Sequence, residues 1–235
     1  MKILFIGGTG VISSACAELA VARGHDLFIL NRGASTKHPL PDGVTLLRGD
    51  IYADEAHLAS LVAGHRFDAV VDYIAFTPND IQRDLRLFRD RTDQFVFISS
   101  ASAYQKPVKN YLITEETPLE NPYWEYSRNK IACEDLLMKE YRQHGFPVTI
   151  IRPSHTYGYS QIPFGVSSWR DPWTVIDRMK RGKKVIVPGD GTSLWVLTWN
   201  EDFAKGLVGL LGNPKAVGEA FQITSDEVLS WEQIH

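Results

Sequence analysis

Short hydrophobic runs alternate with amphipathic stretches through the first two thirds of the chain. The runs are continuous in Val, Ile, Leu and Phe, which is typical of strands buried on both faces of a sheet. Strands are predicted at residues 2–6, 26–30, 44–47, 69–74, 94–98 and 148–151, and helices at 11–23, 54–63, 78–91 and 123–144. Because strands and helices alternate, the pattern predicts an α/β fold with a doubly wound parallel sheet of the Rossmann type.

The pattern changes after residue 153, where Trp, Pro, Gly and Ser become frequent. The elements predicted there are a helix at 172–181, a strand at 185–187, a turn at 188–191, a helix at 201–212 and a strand at 221–224. The stretch at 229–235 begins like a helix and ends with the chain. We therefore expect a Rossmann domain at 1–153 and a mixed, apparently incomplete substrate-binding region at 154–235, whose late strands return to the sheet.

Composition and charge exclude several classes of protein. The chain has 235 residues, of which 44% are hydrophobic and 23% charged, so a disordered or collagen-like chain is excluded. The formal net charge of −3 lacks the basic excess that a polyanion-binding protein normally shows, so nucleic-acid binding is disfavoured. No apolar run approaches the ~18 residues of a membrane span, and the seven histidines lack metal-ligand spacing. Two cysteines in helix-like stretches are interpreted as reduced, in a cytoplasmic protein.

A glycine-rich segment joins the first predicted strand to the first predicted helix. Its sequence is Gly7-Gly8-Thr9-Gly10-Val11-Ile12-Ser13. Glycine permits a tight turn and lets backbone N–H groups approach a pyrophosphate, and the N-terminus of a helix favours an anion. The segment therefore predicts a dinucleotide site, although Ser13 replaces the third glycine of the usual pattern.

The end of the second strand is expected to meet the adenosine end of the dinucleotide. Asn31 lies where a carboxylate often holds the ribose hydroxyls, and Arg32 is able to pair with a 2′-phosphate. These two residues favour NADP over NAD, with a solvated loop arginine as the alternative. Asp50, after the third strand, is interpreted either as an acceptor for the adenine amino group or as a turn residue.

Hydroxyl residues follow the strand predicted at 94–98, at the sheet edge where open α/β folds bind ligands. Ser100 lies there, while Tyr126 and Lys130 are four positions apart and share one face of a predicted helix. A nearby lysine cation is expected to lower the phenol pKa from about 10, and a serine to orient a substrate oxygen. The three residues predict a proton-transfer site beside a carbinol or carbonyl. A packed tyrosine with a solvent-reaching lysine is the alternative for the pair alone.

With these motifs the chain resembles the extended short-chain dehydrogenase/reductase family, in its NAD-dependent epimerase/dehydratase branch. The resemblance covers the whole chain and also rests on Glu134 and on segment 151–158, Ile-Arg-Pro-Ser-His-Thr-Tyr-Gly. It implies that Tyr126 is the acid/base, that Lys130 binds the nicotinamide ribose, and that Ser100, with Ser102 as its rival, supplies the hydroxyl. The cofactor-binding residues that it implies are Gly7, Gly10, Val11, Ile12, Asn31, Arg32, Asp50, Ile51, Ala75, Lys130 and Pro153.

The resemblance implies NAD(P)-dependent epimerisation or dehydration of a nucleotide-linked sugar or similar polyol, by transient hydride transfer to a tightly bound cofactor. A reductase with exchanging NADPH is one alternative, and a non-catalytic nucleotide- or RNA-binding member of the fold is another. A plastid branch reported to bind RNA shares late segments such as 186–191 but tends to lack the Tyr–Lys pair that this chain retains. A homodimer through helices that include the Tyr126 helix is expected for this family.

The late region holds further aromatic and imidazole groups whose roles are open. His155 is interpreted first as a loop histidine and second as a residue of the substrate pocket. Core packing is the first interpretation, and stacking on a sugar or base the second, for Trp169, Trp173, Trp195 and Trp199.

Overall fold

A computed structural model of the chain describes residues 1–35, 37–52, 54–168 and 170–235. The strands are β1 (Lys2–Ile6), β2 (Asp26–Asn31), β3 (Thr45–Arg48), β4 (Ala69–Asp72), β5 (Phe95–Ile98), β6 (Val148–Pro153), β7 (His155–Tyr157), β8 (Leu194–Trp199), β9 (Ala220–Ile223) and β10 (Val228–Ser230). The helices are α1 (Val11–Ala22), α2 (Glu55–Val62), α3 (Pro78–Phe88), α4 (Glu125–His144), α5 (Thr174–Lys180), α6 (Asn200–Leu210) and α7 (Trp231–Ile234). None of these helices is long and apolar enough to cross a bilayer.

Seven of the described strands form one parallel sheet in the order β3-β2-β1-β4-β5-β6-β9. Helices α1 and α6 pack on one face of this sheet, and α2, α3 and α4 contribute to the core on the other. The predicted doubly wound parallel sheet is confirmed. The strand order reverses between β1 and β4, so a crevice opens at the carboxyl ends of these two strands.

Local signals explain where the helices beside this crevice begin and end. The Thr77 side chain and the Asp80 carboxylate cap the first turn of α3, and Pro78 occupies a position where no N–H is needed. Helix α4 ends at Gly145, whose φ of +68° is readily adopted only by glycine. The first signal fixes where α3 begins, and the second fixes where α4 ends.

The late region departs from the sequence prediction. Residues 185–187, predicted as a strand, have no strand partner in the described chain, and Ile186 is 71% exposed. The run lies between two lysines and Pro188, which has no N–H to donate to a neighbouring strand. Strands β7, β8 and β10, which the pattern did not predict, form a small second sheet in the order β10-β8-β7.

Strand β9, from the region after residue 153, pairs in parallel with β6 at the edge of the main sheet. The two parts of the chain therefore share one sheet. The division into a domain at 1–153 and a substrate region at 154–235 stays a prediction.

Candidate active site

The glycine-rich turn follows β1 and leads directly into α1. Gly7 and Gly8 have φ values of +108° and +82°, a backbone region that other residues rarely adopt. A Cβ atom on Gly8 would also lie 2.8 Å from the Ile29 side chain. Gly10 caps α1, and its N–H donates to the Ser13 hydroxyl at 2.8 Å. The serine that replaces the usual glycine therefore closes the turn, and the N-terminus of α1 faces the crevice beside Gly7 and Gly8.

Beside this turn lies a cavity of about 390 Å³ at the ends of β1, β2, β3 and β4. Its lining includes Arg32, Asp50, Ile51, Tyr52 and Phe76, of which Tyr52 and Phe76 were not among the predicted site residues. The Tyr52 hydroxyl donates to the Ile74 carbonyl and so bridges the ends of β3 and β4. A cavity of this size next to a glycine turn suits the adenosine end of a dinucleotide.

The predicted ribose residue Asn31 already has partners within the turn. Its amide donates to the Gly7 carbonyl at 2.8 Å, and its amide oxygen accepts from the Gly33 N–H at 2.7 Å. Asn31 therefore braces the glycine turn against the end of β2, and its ribose contact stays a prediction. Asp50 likewise accepts the Tyr52 N–H at 3.0 Å, which is the geometry of the turn interpretation.

Lys130 lies on α4 and is only 1% exposed. Its ammonium group donates to the carbonyls of Ala75 and Ile98, both at 2.7 Å, and so joins α4 to the ends of β4 and β5. The same nitrogen lies 4.7 Å from the Phe76 ring centroid and 5.7 Å from that of Tyr126. Burial lowers the pKa of Lys130 to about 8. A protonated amine beneath the crevice is thus held mainly by backbone carbonyls.

Tyr126 lies one helical turn before Lys130, half-buried at the crevice. Burial raises the pKa of the phenol, and the nearby Ser100 hydroxyl opposes that rise as a hydrogen-bond partner. The expected net lowering of this pKa is not found in the chain alone, where the net shift is upward. The ammonium protons go to backbone carbonyls, and desolvation of the phenol outweighs the neighbouring charge.

A line of serine hydroxyls leads to the phenol. The Ser127 hydroxyl donates to that of Ser102 at 2.8 Å, and the hydroxyls of Ser102 and Ser100 are 2.9 Å apart. Ser100 is therefore the serine next to Tyr126, and Ser102 lies one step behind it. Ser127 was not predicted, although its place directly after Tyr126 on a buried helix face was a usable signal.

A buried ion pair lies behind these residues. Arg152 of β6 and Glu134 of α4 are 5% and 2% exposed, and their closest charged atoms are 2.6 Å apart. The Ser99 hydroxyl donates to the same carboxylate, and the Arg152 guanidinium donates to the Tyr104 hydroxyl at 3.3 Å. This network ties α4 to β6 and to the segment after β5, which fixes the position of the tyrosine helix.

A second buried cluster shapes the segment beneath the crevice. The Asp72 carboxylate accepts the N–H groups of Ile74 and Ala75 at 2.6 and 2.8 Å, which ends β4 two residues earlier than predicted. Arg83 of α3 pairs with Asp72 at 3.4 Å and with Asp84 at 2.8 Å. Burial and the neighbouring Asp72 raise the pKa of Asp84 well above its ordinary value. The backbone position of Ala75, whose carbonyl accepts from Lys130, thus depends on buried charges that were not predicted from the sequence.

The predicted residues of the late region lie around the small second sheet. Pro153 is the buried last residue of β6. His155 contacts the rings of Trp195 and Trp231 edge-on, at centroid distances of 6.4 and 6.1 Å, and burial lowers its pKa. His155 is the first residue of β7, so its interpretation as a loop histidine is wrong, and its role in the substrate pocket stays a prediction.

The other tryptophans of this region differ in environment. Trp199 packs edge-on against Tyr157 and Tyr159, at centroid distances of 5.2 and 4.9 Å. Trp173 is 60% exposed, whereas Trp169 lies outside the described residues.

Comparison with known proteins gives a consistent result. Residues 3–224 match the model of the NAD dependent epimerase/dehydratase family. The chain is 26% identical over 246 residues to the chloroplast stem-loop binding protein of 41 kDa b of Arabidopsis thaliana, covering 98% of the chain and 60% of that protein. It is 27% identical over 257 residues to an uncharacterized UDP-glucose epimerase of Bacillus subtilis, covering 97% of the chain and 78% of that relative.

The solved structures that the fold matches include four bound to NAD. The dTDP-glucose 4,6-dehydratase of Bacillus anthracis superimposes with a TM-score of 0.80 at 21% identity, over 98% of the chain and 77% of that structure. The UDP-glucose 4-epimerase of Thermus thermophilus gives a TM-score of 0.79 at 21% identity, over 100% of the chain and 80% of that structure. At this identity the likeness establishes the fold.

Proposed function

Because the chain belongs to the NAD-dependent epimerase/dehydratase family, we propose that it epimerises or dehydrates a nucleotide-linked sugar with the help of bound NAD(P). One observation carries the proposal: the Tyr126 phenol, with Ser100 and Lys130 near it, lies 6.2 Å between ring centroids from Phe76, which lines the cavity beside the glycine turn. The sugar-nucleotide names of several relatives support this substrate class. The relative from Arabidopsis is longer than this chain, which spans 60% of it, so the activity of such a whole protein is part of the proposal.

The residues of the crevice fit a dinucleotide. The positive φ values at positions 7 and 8 favour glycine, which has no side chain. The N-terminus of α1 beside them is therefore open, and its backbone N–H groups are able to hold a pyrophosphate. The cavity of about 390 Å³ beside them would take the adenosine, with Asp50 and Ile51 at the adenine. When bound, the nicotinamide would take a hydride from the carbinol carbon and return it, and it would add positive charge near the phenol.

In this proposal Tyr126 exchanges one proton with the substrate oxygen, and the neighbouring side chains assist that transfer. Burial keeps Tyr126 protonated at neutral pH, so the phenol is ready to donate to a carbonyl oxygen of the substrate. To accept a carbinol proton it must first become a phenolate, which the ammonium of Lys130, 5.7 Å from the ring centroid, stabilises. Ser100 orients the substrate oxygen, and Ser102 and Ser127 hold Ser100 in place.

We also propose a preference for NADP. Arg32 lines the cavity, and residues 32–35, which follow β2, include no carboxylate. The Arg48 guanidinium approaches the Gly33 backbone, within 3.0 Å of where a Cβ atom would lie, and adds positive charge to this rim. A 2′-phosphate would find both guanidinium groups, whereas a plain ribose would not use them.

The proposal is tested with Tyr126→Phe and the matched control Tyr123→Phe, since Tyr123 is 75% exposed on the same stretch of chain. Turnover of UDP-glucose and dTDP-glucose is measured together with the NAD(P) retained on purification. Loss of the phenol should lower turnover by on the order of 10²-fold or more with cofactor content unchanged, and the control should match the wild type. Wild-type turnover in Tyr126→Phe would refute the acid/base role. A wild-type chain that binds no NAD(P) would refute the function.

Two other functions have separate signatures. A reductase would exchange its NADPH rapidly, whereas an epimerase or dehydratase would keep the nicotinamide through purification. The name of the Arabidopsis relative, a stem-loop binding protein, favours RNA binding as an alternative. The net charge of −3 opposes it. Filter binding with a salt titration distinguishes it, because binding to a polyanion weakens steeply as salt rises.

A further inference from the structure

Two aromatic side chains, Phe76 and Trp124, lie against the Tyr126 ring at the candidate active site. The Tyr126 ring centroid is 6.2 Å from that of Phe76 and 4.7 Å from that of Trp124. Phe76 and Trp124 are 42% and 54% exposed. The Tyr126 ring is therefore next to two partly exposed aromatic side chains, of which Phe76 lines the cavity beside the glycine turn and Trp124 does not.

The position of Trp124 is held by buried groups. The Asn121 side-chain oxygen accepts the N–H groups of Tyr123 and Trp124 at 3.1 and 3.2 Å. Its amide donates to the Ser102 carbonyl at 2.9 Å, and Asn121 is only 8% exposed. The carbonyl of Trp124 accepts the N–H of Arg128 in the first turn of α4. The backbone of Trp124 is thus held, through Asn121, by the segment that contains Ser100 and Ser102.

The indole has capacity for a ligand. Its N–H has no hydrogen-bond partner in the described chain, and about half of the residue is open to solvent. An aromatic face with negative π density attracts the slightly positive C–H groups of a pyranose ring, and an indole N–H is able to donate to a sugar hydroxyl. The position next to the phenol selects the sugar as occupant, because the reacting carbinol must lie within reach of Tyr126.

We propose that Trp124 is a sugar-binding residue, whose indole packs against the C–H face of the pyranose ring and holds it beside Tyr126. This assignment rests on the proposed nucleotide-sugar function. It assigns the sugar to Trp124 and leaves the nucleotide to other residues. Trp124 then contributes to the binding of UDP-glucose but not to the binding of UDP.

The experiment measures the affinity of the NAD(P)-loaded full chain for UDP, UDP-glucose, dTDP and dTDP-glucose by titration calorimetry. Trp124→Leu should weaken binding of the sugar nucleotide about five- to tenfold and leave the bare diphosphate unchanged. Trp124→Phe keeps an aromatic face and should lose less than about threefold. Tyr111→Leu, which removes an aromatic ring that is 89% exposed and has no assigned role, should equal the wild type.

Each other result overturns the assignment. Equal affinity of wild type and Trp124→Leu for the sugar nucleotide, or equal weakening for the sugar nucleotide and the bare diphosphate, refutes sugar stacking while the proposed function stands. A change in oligomeric state with unchanged affinities would make the indole an interface residue instead. A wild-type chain that retains NAD(P) but binds neither sugar nucleotide refutes the nucleotide-sugar function and this assignment with it.

Discussion

Replacing Lys130 with Met should change how the stability of the ligand-free chain depends on pH. The ammonium is 1% exposed, and burial is the largest cause that lowers its pKa from 10.5 to about 8, with Asp72 acting in the opposite direction. Between these two pH values the unfolded chain holds a proton on Lys130 that the folded chain has released. The wild type should therefore gain stability relative to Lys130→Met as pH rises through this window.

The size of the effect follows from the two pKa values. The difference between 10.5 and about 8, at ~1.4 kcal/mol per pH unit, amounts to about 3 kcal/mol. The penalty for burying the charge is fully present below pH 8 and absent above pH 10.5. The variant also loses the bonds to the Ala75 and Ile98 carbonyls, so the test reads how the stability difference changes with pH and not its absolute size.

The assay is urea unfolding followed by tryptophan fluorescence, at intervals from pH 7 to 10.5, in a reducing buffer. Burial raises the pKa of Cys16 and Cys133 to about 12, so both proteins lose stability together above pH 9. The difference between the two proteins removes the Cys16 effect, and Cys133→Ala in both proteins removes the thiol whose charge interacts with Lys130. Lys139→Met, an exposed lysine on the same helix, serves as the control and should leave the shape of the curve unchanged. A flat difference for Lys130→Met across this range would refute the buried-ammonium reasoning.

Three further changes test other parts of the site. Glu134→Ala leaves the Arg152 cation buried without its partner and should cost about 3–5 kcal/mol in urea unfolding; a loss below about 1 kcal/mol would contradict that buried pairing. Gly8→Ala forces a Cβ onto Ile29 at a φ of +82° and should cost about 1–2 kcal/mol and weaken NAD(P) binding, whereas wild-type affinity would show that the turn tolerates a side chain. Arg32→Ala should weaken NADP several-fold more than NAD by fluorescence titration, and equal effects would contradict the 2′-phosphate contact.

The early elements could be predicted from the sequence because their signals are local. Strand β1 has the predicted bounds, and β2, β3, β5 and the helices between them deviate from prediction by only a few residues. Continuous apolar runs, amphipathic stretches and glycine turns each act within a short span of chain. The late region was less predictable, because β7 and β10 are three residues long and exist only through pairing with β8.

The sequence by itself determined which chemical groups reach the site: Tyr126 and Lys130 share a helix face through their spacing, and Ser100 follows a buried strand. Only the tertiary structure decided what those groups do there. It directs the Lys130 protons to backbone carbonyls, raises rather than lowers the Tyr126 pKa, and engages both ends of the Asn31 amide within the glycine turn. Spacing along a helix or strand determines the direction in which a side chain points. Burial and hydrogen-bond partners come from elements distant in the chain, and they determine the charge and reactivity of that side chain.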